Sequence, residues 1–97
     1  MDEREAALRR AAELALDYLD TLPERRVGAA ADASTVAERL GGELADEGID
    51  PTRVVEELAA AVDPGLVASL GPRYFGFVIG GQLPASAAAD WLTTAWG

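Results

Sequence analysis

Chemistry in this chain is bounded first by what it lacks. It has no lysine, histidine or cysteine, and all eight basic residues are arginine. Schiff-base formation, imidazole acid–base work, thiolate attack, disulfides and Cys/His metal sites are therefore excluded within the chain. Three constellations remain, and each has a plainer reading beside it. Glu56-Glu57 suggests a carboxylate pair, but neighbours on a helix point about 100° apart and cannot share one substrate, so a solvated face is the reading. Arg25-Arg26 reads as a solvated turn in preference to an anion site. Gly76-x-x-x-Gly80-Gly81 lacks both the Lys-Ser/Thr of a phosphate loop and the ordered glycines of a dinucleotide fingerprint. No residue is assigned a catalytic or metal-binding role.

One stretch stands apart. Gly71 to Pro84 holds both phenylalanines, and Tyr74, Phe75, Phe77, Val78 and Ile79 are aromatic or β-branched residues interrupted by glycine. That pattern predicts extended chain near 73–80, with something approaching closely at glycines 76, 80 and 81. Two readings are equally compatible with it: a buried edge strand of a small core, or the wall of an apolar pocket. Trp91 and Trp96 read as packing anchors in preference to a stacking platform.

The elements that must position this stretch are helical. Leu8, Ala12, Ala15, Tyr18 or Leu19, and Leu22 recur at three- and four-residue steps, predicting one helix from about Asp2 to Leu22 that Pro23 stops. Acidic residues in its first turn suit the helix dipole. Pro23 to Ala33 reads as a connector. Thr35 with Glu38 has capping-box spacing and opens a short helix through Leu40, which Gly41-Gly42 ends. Asp50-Pro51 is an N-cap followed by a first-turn proline, and Val54, Val55, Leu58, Ala61 and Val62 form the expected buried face of the helix it starts. Asp63-Pro64-Gly65 ends that helix, and Leu66 to Leu70 is expected to form a helical turn. Pro84 opens a last helix carrying Ala88, Trp91, Leu92 and Ala95 on one face.

Length and charge set the outer limits. A chain of 97 residues is one small domain or a piece of one. Many of its apolar residues are alanines and only 6% of the chain is aromatic, so the core is thin. A net charge of −9 argues against nucleic acid and against an anionic membrane surface as partners. No apolar run is long enough to span a bilayer, and the acidic Met1–Glu5 start is unlike a signal peptide, so a cytoplasmic location is expected.

The run Gly71-Pro72-Arg73-Tyr74-Phe75-Gly76-Phe77-Val78-Ile79-Gly80-Gly81-x-Leu83-Pro84-Ala85, followed by Ala89-Asp90-Trp91-Leu92 and Ala95-Trp96, resembles the N-terminal region of bacterial pyridoxal-phosphate-dependent (group II) amino acid decarboxylases. Asp17-Tyr18-Leu19 and Gly65 to Ser69 fit the same region. The likeness extends over nearly the whole chain, is specific in the last thirty residues and is looser before Asp50. It implies an N-terminal arm packing over the partner subunit of a homodimer. It also implies that Phe77 and Val78, with Ile79 beside them, face the side chain of an amino acid substrate. Aromatic-substrate relatives tend to carry Tyr-Phe-Pro where this chain has Phe77-Val78-Ile79-Gly80, which argues against an aromatic amine precursor as substrate. The family's Schiff-base lysine, cofactor-stacking histidine and pyridine-binding aspartate lie downstream of this region, so pyridoxal phosphate is expected in full-length relatives and not on this chain alone.

The expected fold is therefore mostly α: an arm of about four helices with one short extended segment near 73–80, preceding a missing α/β cofactor domain. Residues 1–70 are assigned to a helical dimerisation arm, 71–83 to a substrate wall, and 84–97 to the start of a truncated helix. The expected function is that of an N-terminal fragment of a decarboxylase, inactive alone. The alternative is a free-standing small acidic helical interaction protein.

Overall fold

The computed structural model describes all residues from Met1 to Gly97. It is mostly helical, with four α-helices and no strand: α1 Glu3–Thr21, α2 Ala33–Leu40, α3 Pro51–Val62 and α4 Pro84–Trp96, with one 3-10 turn at Asp63–Gly65. Three helix starts are built by aspartate. Asp2 accepts from the Glu5 N–H at 2.7 Å, Asp32 from Thr35 at 2.9 Å, and Asp50 from Arg53 at 3.4 Å. Each carboxylate satisfies an N–H that the first turn leaves without an intrahelical partner. The second helix thus begins three residues earlier than the Thr35-Glu38 spacing predicts, with Asp32 and not Thr35 as its N-cap. Asp32 out-competes Thr35 as cap because an ionised acceptor makes the stronger bond to an N–H at the positive end of the helix.

α1 lies along α3, α2 packs on α3 and on the 3-10 turn, and α4 touches none of them. An ion pair ties α1 to α3, Arg10 to Glu56 at 2.9 Å, and Arg10 also holds Glu13 at 3.0 Å. The connector after α1 runs beside the chain that follows α3. Ala30 and Ala31 both donate to the Pro64 carbonyl at 2.7 and 2.8 Å, and Ala68 donates to Val27 at 2.9 Å. Leu66 to Ala68 is irregular here, where a helical turn is expected: the Leu66 N–H closes the 3-10 turn on the Asp63 carbonyl, and the Ala68 N–H goes sideways to Val27 of that connector.

Little is enclosed. Leu22, Ala61 and Ala68 are the only buried residues, and Leu22 is the one large side chain among them. Of the expected stripe on α1, Ala12, Ala15 and Tyr18 are half-buried and Leu22 is buried, but Leu8 and the alternative Leu19 face solvent; Ala7, Ala11 and Leu14, beside that stripe, are also half-buried. On α3, Val54 and Leu58 are likewise exposed. The solvent-accessible surface is 7633 Å² for a 10.1 kDa chain, against about 5,300 Å² for a compact monomer of that mass. The radius of gyration, 15.4 Å, exceeds the roughly 12.5 Å of a compact domain of this length. No helix is long and apolar enough to cross a membrane.

Candidate functional site

The stretch between Gly71 and Leu83 leaves the helical body and returns to no element of it. It forms no strand, since no neighbouring chain offers a ladder. Instead the Ile79 N–H donates to the Gly76 carbonyl at 3.1 Å, closing a tight turn whose central residues are Phe77 and Val78. Both have positive φ, 51° and 55°, the geometry of a type I′ turn, which asparagine and glycine normally occupy. A β-branched valine there is a genuine outlier.

The turn displays its side chains. Phe77 is 89% exposed, Val78 is fully exposed, and Phe75 is 91% exposed. Ile79 is less so, and Tyr74 is half-buried. The edge-strand alternative is therefore set aside: an edge strand of a core would bury alternate residues, and here neither alternation nor core is present. Of the three glycines, Gly76 alone meets a close neighbour. A Cβ there would lie 2.9 Å from the hydroxyl oxygen of Tyr74, so the tyrosine ring folds over the glycine. Gly80 and Gly81 have open space around them, contrary to the expectation of close approach.

Phe77, Val78 and Ile79 are thus brought together as consecutive residues of one projecting turn, but no second element of the chain faces them. The grooves of the molecule lie elsewhere. One, of about 590 Å³, runs along α2 between Val36, Leu40, Val62 and Leu66; another, of about 490 Å³, lies between α1 and the end of α3. Trp91 and Trp96 are 50% and 78% exposed, so they anchor nothing within this chain. α4 carries a single charged residue, Asp90. From Arg73 onward the chain is neutral overall and largely apolar, since Arg73 and Asp90 cancel, whereas the whole net charge of −9 lies before it.

Glu56 and Glu57 point to different partners, Arg10 on α1 and Arg53 on α3 itself, so they form no carboxylate pair. Arg25 departs from the solvated-turn reading. Its side chain is only 17% exposed and is paired with the Asp63 carboxylate at 3.0 Å. It donates to the Asp63 carbonyl at 2.7 Å and lies over the Tyr18 ring, 4.9 Å from its centre. The hydrogen bond to Asp63 holds the guanidinium further into its charged form. Nothing local in the sequence marks Arg25 apart from Arg26, because its partners are seven residues before it and 38 after.

The donor set does not fit covalent attachment of pyridoxal phosphate, which needs a lysine. Two of the arginines that would suit its phosphate, Arg25 and Arg73, are already engaged, Arg73 with the carbonyl of Arg25. No group of three acidic, histidine or cysteine side chains is arranged to hold a metal ion. No protein-family model, curated protein or solved structure matches the chain. The decarboxylase resemblance accordingly rests on the residues quoted for it.

Proposed function

We propose that this chain is a contact arm of a pyridoxal-phosphate-dependent amino acid decarboxylase, supplying dimer contacts and one wall of the substrate pocket, with no activity of its own. The observation that carries the arm reading is the surface it leaves uncovered. About 2,300 Å² of exposed area exceeds what a compact monomer would show, comparable to one side of an obligate interface. That excess includes the aromatic turn and α4, the neutral part of an otherwise acidic chain. The decarboxylase assignment draws on the Gly71–Trp96 motif, and the pocket-wall role on the exposed apolar tip at Phe77 and Val78. The catalytic groups come from elsewhere in the enzyme, in the cytoplasm.

The test is complementation. Added to a decarboxylase lacking its own N-terminal arm, the chain restores amino-acid-dependent release of carbon dioxide, and Phe77→Asp abolishes the restoration without altering helix content. Release of carbon dioxide by the purified 97-residue chain alone, or its own saturable binding of pyridoxal phosphate, refutes the proposal.

A second reading has one observation in its favour. α1, α2 and α3 are each capped and pack together without α4, as a small free-standing interaction protein would. A monomer at all concentrations with a single cooperative melt including α4 favours that reading.

A further inference from the structure

The aromatic turn has no packing of its own to fix where it points, yet one chain of contacts connects it to the helical body. Arg25 is the centre of that chain. Its guanidinium joins the end of α1, through Tyr18, to the end of α3, through both the carboxylate and the carbonyl of Asp63. Its carbonyl in turn accepts the guanidinium of Arg73, the residue that leads into Tyr74. Its N–H is tied to the Thr21 carbonyl at 2.8 Å, so the peptide around Arg25 is held against the last turn of α1. Gly71 completes the joint: a Cβ there would lie 3.3 Å from the Leu22 carbonyl, so the backbone leading to the turn runs tightly against the end of α1.

We infer that Arg25 is a positioning residue that sets the direction of the Phe77–Val78 turn by engaging Asp63 with its side chain and Arg73 with its carbonyl. An arginine is required because three different groups are met at once. The planar fork reaches carboxylate and carbonyl together while its face rests on an aromatic ring, and a lysine ammonium offers neither plane nor fork. The Arg25 side chain is also more shielded than those of Arg9 and Arg53 in their pairs with Glu5 and Glu57, although its partner Asp63 is open to solvent. The inference deepens the pocket-wall reading and rests on it only for the use to which the turn is put; the joint itself is a geometric claim.

The chain has no cysteine, so paired spin labels can be placed cleanly. Labels on Leu58→Cys and Phe75→Cys report the turn against the body, and labels on Leu8→Cys and Leu58→Cys report the body alone. The expected result is a single narrow distance distribution for both pairs in the parent chain. With Arg25→Gln or Arg73→Gln the narrow distribution of the turn pair is lost while that of the body pair is kept. Arg25→Lys does not restore the turn pair. If Arg25→Gln also disperses the body pair, Arg73→Gln decides, since it releases the turn without touching the helices. A turn pair that stays narrow in Arg73→Gln overturns the inference, as does a turn pair already broad in the parent. These distances are read without cofactor or substrate, so failed complementation leaves them standing and their failure leaves the decarboxylase reading untouched.

Discussion

Replacing Phe77-Val78 by Asn-Gly should tighten the turn while removing its apolar tip. The reasoning starts from the two positive φ angles, 51° and 55°, at residues with full side chains. Left-handed backbone costs an L-residue about 1–2 kcal/mol through the clash of Cβ with the following carbonyl. Glycine at position 78 removes that clash but adds roughly 0.5–1 kcal/mol of lost backbone freedom. Asparagine at 77 is one of the few side chains at ease in this region. No packing is lost in exchange, because Phe77 is 89% and Val78 fully exposed. The net gain is about 1–1.5 kcal/mol in turn closure, or roughly a fivefold to tenfold shift toward the closed form.

The assay is amide exchange at Ile79, whose N–H closes the turn on Gly76. Exchange should slow by about fivefold to tenfold in the double variant, since it tracks the open fraction. The melt of the helical body should not move, as neither side chain touches it. In the complementation assay the same variant should lose function. A site that gains order and loses activity marks strain retained for contact and not for stability. Unchanged or faster Ile79 exchange would refute the claim that the turn is strained.

Four further expectations follow from particular contacts. Leu22→Ala, at the only large buried side chain, should destabilise the body by about 2–5 kcal/mol, near the lower end where the site can collapse, read from denaturant titration. Gly65→Ala should lower the melting temperature because its Cβ would sit 2.5 Å from a Val36 methyl, and Val36→Ala in the same chain should recover part of the loss. The Asp32 carboxylate is held below its ordinary range by hydrogen bonds, first from the Thr35 N–H and then from the Thr35 and Ser34 hydroxyls. Because the folded value is the depressed one, its contribution is full above about pH 4 and is lost as pH falls below that, so the melting temperatures of the parent and Asp32→Asn should converge in acid. Added salt should raise the melting temperature of the body by screening a net charge of −9 that is confined to the first 72 residues.

The helices were legible because their ends are written in single residues. Pro23 stops α1, Asp50-Pro51 starts α3 and Pro84 starts α4, each acting through its own backbone restriction and needing no partner. The faces were less legible. Ala12, Ala15, Tyr18 and Leu22 are shielded as their spacing predicts, yet Leu8 and Leu19 face solvent, and Leu14, beside that stripe, is half-buried. Periodicity gives the centre of an apolar stripe but not its edges, and α1 has leucines on either side of the face that α3 covers. The turn at 76–79 was hidden for the opposite reason. Phe-Val is among the poorest pairs for a type I′ turn, so its composition argued for extended chain and pointed away from the conformation adopted. Arg25 was hidden by distance along the chain.

The uncovered surface and the helicity of α4 are two sides of one requirement. A helix of 13 residues with no tertiary contact is marginal in water, because nucleation is unfavourable and packing normally supplies the balance. α4 has no side-chain N-cap and no ion pair, and its N-terminal support is limited to Pro84 and the Ser86 hydroxyl on the Leu83 carbonyl. Its alanines favour the helix, but not by enough to hold Trp91, Leu92 and Trp96 in water without cover. Helix content should therefore rise when the arm meets its partner, by up to the 13 residues of α4, while α1 to α3 contribute equally before and after. The acidic body and the neutral tail then have separate tasks. The body and the turn are held by the helix caps, the Arg10–Glu56 pair and the Arg25 joint, and α4 is fully ordered only against the surface it is built to cover.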